Sequence, residues 1–303
     1  MRAVVVGAVE STAVLADALA RADGWSVPLI VTLPKDLEAR HSDFVDMQPY
    51  AQRLGAQLHF ARNSNDADTL AAIDKAEPDY IFVVGWSQIC KPEFLALRPG
   101  KVIGYHPAPL PRLRGRAVIP WTILLEEKIT ASSLFWVDEG TDSGDLLSQR
   151  YFHIASDETA QELYDKHMHS LKLMLDDLLP RMARGEEPRI VQDHRYATWA
   201  ARRTPADGAI DWQASAAEID RLVRAVGRPY PGAFTFRGEA RITVWSTALE
   251  TGAEQYHGMP GQIVRNEEGE LIVQTGDGLV RLVEWEMDGA GTPPMHAILG
   301  ERR

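Results

Sequence analysis

The stretch VIGYHPAPLPRLRGRAVIPWTILLEEKITASSLFWVDEGTDSGD, residues 102–145, holds the features from which the rest of the chain can be read. Residues 101–105 form an apolar run of strand length that ends at His106, where a buried strand gives way to a loop. Pro107, Pro109 and Pro111 fix φ three times in five residues, so the loop is stiff and invites a cis X-Pro bond. A second apolar run, residues 132–137, leads into the acidic glycine loop Asp138, Glu139, Gly140, Thr141, Asp142, Ser143, Gly144, Asp145. A histidine acts as acid and base near neutral pH when a carboxylate orients it and stabilises its charged form, which makes His106 and Asp142 the candidate catalytic pair.

Working outward, strand-like runs at 3–7, 25–31, 56–60, 80–85 and 101–105 alternate with helical spacing at 8–22, 43–54 and 66–75. That alternation predicts an α/β fold with a Rossmann-like, doubly wound, mostly parallel sheet and ligands at the carboxyl ends of its strands. The turn at Gly7 lacks G-x-G-x-x-G, so a dinucleotide fingerprint is absent. Beyond the opening stretch the pattern predicts a helix at 117–125, strands at 131–137 and 149–154, and a long helix at 156–182 opened by Ser156-x-x-Thr159. Residues 186–208 have few apolar repeats and read as a linker between a domain at 1–185 and a second at 209–303. There a helix at 215–226 precedes five short strands separated by turn residues, the pattern of a small β-barrel.

The chain has 303 residues and a formal net charge of −11. That balance disfavours a broad phosphate-binding surface, while a few arginines in a cleft still suit a small anion. Cys90 is the single cysteine, which excludes an internal disulfide framework and a cysteine-based zinc site, and the histidines show no metal-ligand spacing, so no metal is expected. His167 and His169 in the long helix read as surface groups, and Trp86 and Trp121 as core aromatics with ligand stacking as the competing reading. No apolar run approaches a membrane span, and the expectation is a soluble, cytoplasmic protein.

The motifs resemble those of the formyltransferases that use N10-formyltetrahydrofolate, a family that includes methionyl-tRNA formyltransferase, glycinamide ribonucleotide transformylase and the amino-sugar N-formyltransferases. The resemblance is carried by Gly104-Tyr105-His106 followed by Ala108-Pro109-Leu110-Pro111, by the stretch from Arg114-Gly115 to Pro120-Trp121, and by Asp138 to Asp145 matching D-E-G-x-D-[ST]-G-D. It continues in D-G-x-I-D-W at 207–212, E-I-x-R-L-x-R-A at 218–225 and Y-P-G-A-F-T at 230–235, which look like the family's OB-like carboxy-terminal domain.

The resemblance implies His106 as catalytic acid and base, with Asp142 raising its pKa. It also implies a cofactor site made by Gln88, Ile89 and Cys90, by Arg116, and by Asp138, Glu139, Gly140, Thr141 and Asp142, reading the pterin of the folate in an apolar slot between Trp86 and Leu110. One position departs. The family carries a catalytic asparagine two residues before the histidine, and here that residue is Gly104. Gln88, Ser132, Ser133, a water or protonated His106 are the candidate replacement donors; a non-catalytic folate-binding protein and a formyl hydrolase stand as alternatives. The acidic charge argues against tRNA binding and thus against a methionyl-tRNA formyltransferase. A small-molecule amine, that of a nucleotide-linked amino sugar whose phosphates meet Arg112 and Arg114, is the expected acceptor, and a homodimer is compatible with the sequence.

Overall fold

The computed structural model describes residues 1–40, 43–267, 269–289 and 291–300. Two units divide the chain: Met1–Val118, Ile129–His153 and Tyr164–Ala201 form one, and Ile119–Lys128, Ile154–Leu163 and Arg202–Arg303 the other. The 185/186 boundary read from composition does not coincide with this division, because much of the expected linker pairs with the first unit.

The chain runs β1 (Arg2–Val6), α1 (Glu10–Arg21), β2 (Ser26–Thr32), α2 (Gln48–Leu54), β3 (Gln57–Phe60), α3 (Ala67–Lys75), β4 (Tyr80–Val83), α4 (Pro92–Leu95) and β5 (Val102–His106). It continues through β6 (Arg114–Gly115), α5 (Val118–Leu124), β7 (Ile129–Trp136), β8 (Leu146–His153), α6 (Ala160–Ala183) and β9 (Trp199–Ala200). Seven strands form one sheet in the order β3-β2-β1-β4-β5-β7-β8, with β1 to β5 parallel and β7 and β8 antiparallel. The β1 run is apolar at every inner position because both sheet faces are covered. Ala3 and Val5 pack with Leu15 and Leu19 of α1 and Leu171 and Leu175 of α6, whereas Val4 and Val6 pack with Ile73 of α3 and Phe94 of α4. Strand order reverses at β1, so the crevice at the carboxyl ends of β1, β4 and β5 is the topological switch point where such sheets bind ligands.

Two helix starts differ from expectation. The helix expected from residue 43 begins at Gln48, because Pro49 has no N–H to continue a helix that began earlier, and Val45 N instead donates to Ala8 O. The long helix begins at Ala160, not at 156–157. Thr159 caps it: its backbone N and Oγ1 donate to Glu162 Oε2, and Glu162 N donates back to Thr159 Oγ1.

In the second unit α7 (Ala216–Val226) precedes β10 (Ala233–Arg237), β11 (Ala240–Glu250), β12 (Ile263–Glu267), β13 (Glu270–Gln274) and β14 (Leu279–Met287). They form an antiparallel sheet of order β10-β11-β14-β13-β12, which is the small β domain the turn-separated strands predict. Trp212, in the D-G-x-I-D-W stretch, is buried and donates from Nε1 to Thr235 Oγ1. Among the described residues no helix is long and apolar enough to cross a membrane.

Candidate functional site

Strand β5 places alternate side chains on opposite faces. Gly104 and His106 share one face with their β7 partners Phe135 and Ser133, while Tyr105 lies on the other, toward α6. His106 is buried at the end of the strand. Its Nε2 lies 2.7 Å from Leu113 O and its Nδ1 3.7 Å from Asp142 Oδ2. A carbonyl only accepts, so Nε2 carries a hydrogen, and with a carboxylate facing Nδ1 both ring nitrogens point at acceptors.

Asp142 is held at φ 49°, a left-handed conformation that costs a non-glycine residue about 1–3 kcal/mol and persists only where surrounding contacts hold it. The contacts here are plain. Asp142 Oδ2 accepts from Gly115 N at 2.8 Å, and Asp142 O accepts from Gln192 Nε2 at 2.9 Å. The start of the acidic loop is stiffened locally by Asp138 Oδ1, which accepts from Gly140 N and from Ser143 Oγ. Asp138, Glu139, Gly140 and Thr141 are exposed, as is Arg116, whose backbone N donates to Ala200 O. Asp138, Glu139, Ser143 and Asp145 line a cleft of about 630 Å³ together with Pro92, Leu95 and Ala96, Trp136, Arg189 and His194.

Gln88, Ile89 and Cys90 lie in the loop between β4 and α4. Asn65 holds that loop by donating to Ile89 O and accepting from Lys91 N, and leaves the Ile89 side chain exposed. Burial pushes the Cys90 thiol up to about 12. Trp86 packs against the Phe94 and Cys90 cluster, and its Nε1 is shut from solvent without a partner. Leu110 is buried with Phe135 and Leu146.

The space beside Gly104 is filled. A Cβ at that position would stand 2.7 Å from Phe135 Cζ and 3.1 Å from Val137 Cγ2. The side chains expected to replace the missing amide are committed elsewhere. Gln88 accepts from Ser64 N and donates to Arg62 O; Ser133 donates to Ala108 O and accepts from Gln149 Nε2; Ser132 faces α6, bonded to His167 Nδ1 at 2.9 Å.

Two further expectations are corrected. His167 is not a surface group: it is wholly buried under β7, and burial followed by the nearby His106 charge lowers its pKa to about 3. Helical periodicity placed it, but only the sheet shows which face is covered. Arg114 is likewise buried, with its guanidinium bonded to Gln192 Oε1 and His194 Nδ1, so it is not a free phosphate reader. Gln192 lies inside the expected linker, where neither motif nor periodicity in the local sequence marks it.

Three solved structures share the fold. HypX from Aquifex aeolicus in complex with tetrahydrofolic acid matches with a TM-score of 0.67 and 16% identity, over 95% of this chain and 44% of that one. This chain thus spans less than half the length of HypX. An N-formyltransferase from Helicobacter canadensis, in complex with folinic acid and dTDP-3-aminofucose, matches with a TM-score of 0.64 and 13% identity, over 94% of this chain and 99% of that one. The methionyl-tRNA formyltransferase from Clostridium thermocellum matches with a TM-score of 0.57 and 19% identity, over 83% of this chain and 95% of that one. At these identities the likeness is one of fold. The family assignment comes from sequence: the formyl transferase model matches residues 1–176 and that of the formyl transferase C-terminal domain residues 202–301, and the chain therefore belongs to the formyl transferase family of enzymes.

Proposed function

We propose that this chain transfers a formyl group from N10-formyltetrahydrofolate to the primary amine of a nucleotide-linked amino sugar. The observation that carries the reading is the buried His106 at the end of β5 with Asp142 Oδ2 at 3.7 Å, beside the acidic loop. The folate supplies an activated formyl carbon on a nitrogen leaving group. A flat heterocycle with donors and acceptors on its edge fits the residues here: the β4–α4 loop offers backbone groups around Gln88, Ile89 and Cys90, and Trp86 Nε1 is a buried donor without a partner. Gln88, Ile89 and Cys90 with Asp138 to Asp142 would hold the pterin, with Arg116 at its rim.

With the ring hydrogen moved to Nδ1 beside Asp142 and Nε2 turned from the Leu113 carbonyl to the substrate, His106 would take at Nε2 the proton lost by the attacking amine and return it to the departing folate nitrogen, leaving the enzyme unchanged after one turnover. Its charged form, stabilised by Asp142, would donate to the formyl oxygen as negative charge develops there. For that donation Nε2 must exchange the Leu113 carbonyl for the substrate. The net charge of −11 supports a small acceptor over tRNA, and the similar structure bound to dTDP-3-aminofucose supports a nucleotide sugar as that acceptor.

Incubation with N10-formyltetrahydrofolate and a panel of nucleotide-linked amino sugars tests the reading, with formyl-amine product expected; turnover only with charged initiator tRNA would overturn it. The Phe135 ring against Gly104 favours a second reading, a hydrolase that passes the formyl group to water or a folate-binding protein without turnover. Formate release without any amine would support the hydrolase, and folate binding without turnover the binding protein. A formyl-amine product that His106→Asn abolishes would dispose of both.

A further inference from the structure

We infer that Gln192 is a positioning residue for the reaction: it holds Asp142 in reach of His106, from a segment that also ties down the loop after His106. The inference rests on the formyl-transfer reading above.

The geometry assigns the amide unambiguously. Gln192 is buried, and one end of its side chain lies 2.9 Å from Asp142 O and 2.6 Å from Gly144 O. Two carbonyls only accept, so this end is the NH2 group and both of its hydrogens are used. The other end, Oε1, accepts from Arg114 at 2.6 Å, and Arg114 is itself buried and bonded to His194 Nδ1 at 2.9 Å. Every hydrogen-bonding direction that matters at Gln192 is therefore spent on two loops. One is the acidic loop, at Asp142 and Gly144; the other is the loop after His106, at Arg114.

Backbone pairing brings the residue there. Ile190 and Leu146 exchange both backbone hydrogen bonds at the exit of the acidic loop, which brings Gln192, two residues further along, against Gly144. Beyond it, Thr198 Oγ1 accepts from Leu113 N and Thr198 O from Arg114 N, while β9 pairs with β6. Residues 190–200 thus strap together the two loops that present Leu113 O to one ring nitrogen of His106 and Asp142 to the other. Asp142 sits in a left-handed conformation and does not hold itself.

A glutamate has the shape of Gln192 but no hydrogens to donate at pH 7. Gln192→Glu keeps an acceptor for Arg114 and turns a carboxylate oxygen on the Asp142 and Gly144 carbonyls, whereas Gln192→Asn keeps the chemistry one methylene short. The test measures kcat and KM for folate and amine in both variants. It also follows the 15N signals of the His106 ring, assigned with His106→Asn, and the thermal midpoint. The expected result is a kcat reduced at least tenfold in Gln192→Glu with KM for folate within about threefold. The His106 ring signals should move, and the loss should be smaller in Gln192→Asn. Unmoved His106 signals with unchanged kcat would overturn the inference, as would a loss of kcat that only tracks a falling thermal midpoint. An inactive native protein instead sinks the transfer reading, and the ring signals then still report whether Gln192 sets the His106 environment.

Discussion

The Phe135 ring stands where a side chain on Gly104 would stand, 2.7 Å from the Cβ that Gly104 lacks. The two residues face each other across the β5–β7 ladder, so the glycine and the ring form one packing solution. An amide at 104 and a phenyl at 135 exclude each other.

Gly104→Asn alone should therefore overpack a filled core and cost about 1–3 kcal/mol, measured by urea unfolding. Gly104→Asn with Phe135→Ala should cost less than the sum of the two single changes, with a coupling of about 0.5–3 kcal/mol. Additive costs would show that the two positions do not share the space.

Removal of the acid–base pair is expected to act on turnover and not on folding. His106→Asn should lower kcat by about 10²–10⁴-fold, with folate binding followed by fluorescence little changed. Asp142→Asn keeps an acceptor for Gly115 N and should lower kcat less than His106→Asn does.

His167 should make the fold less stable in acid. Its folded pKa of about 3 lies below the ordinary histidine value of 6.5, so below pH 6.5 the unfolded chain binds a proton that the folded chain refuses. Stability should fall as pH drops from 6.5 to 5, with a limiting slope of about 1.4 kcal/mol per pH unit from this residue. Urea midpoints of the native protein and of His167→Gln over this range check the sign: the variant should lose less.

Cys90 should resist modification. Its thiol is buried and held up to about 12, so little thiolate exists at pH 8. A disulfide reagent should label the native protein far more slowly than the unfolded chain, with a single thiol reacting once it is denatured.

What local sequence determined is what local physics repeats. Apolar runs such as 3–6 and 102–103, buried on both faces, alternate with helical spacing, and from that alone come the parallel sheet, its carboxyl-end crevice and the position of His106 at a strand end. The acidic loop was legible for the same reason: its glycines and carboxylates lie next to one another in the chain. What only the tertiary structure decided is which polar group meets which. The Gln192 amide reaches Asp142 across fifty residues, Phe135 closes on Gly104 across a ladder, and His167 turns its ring under β7 instead of toward water. Periodicity reports that a face is covered but not by what, because the partner is set by strand register and loop docking between residues far apart in the chain.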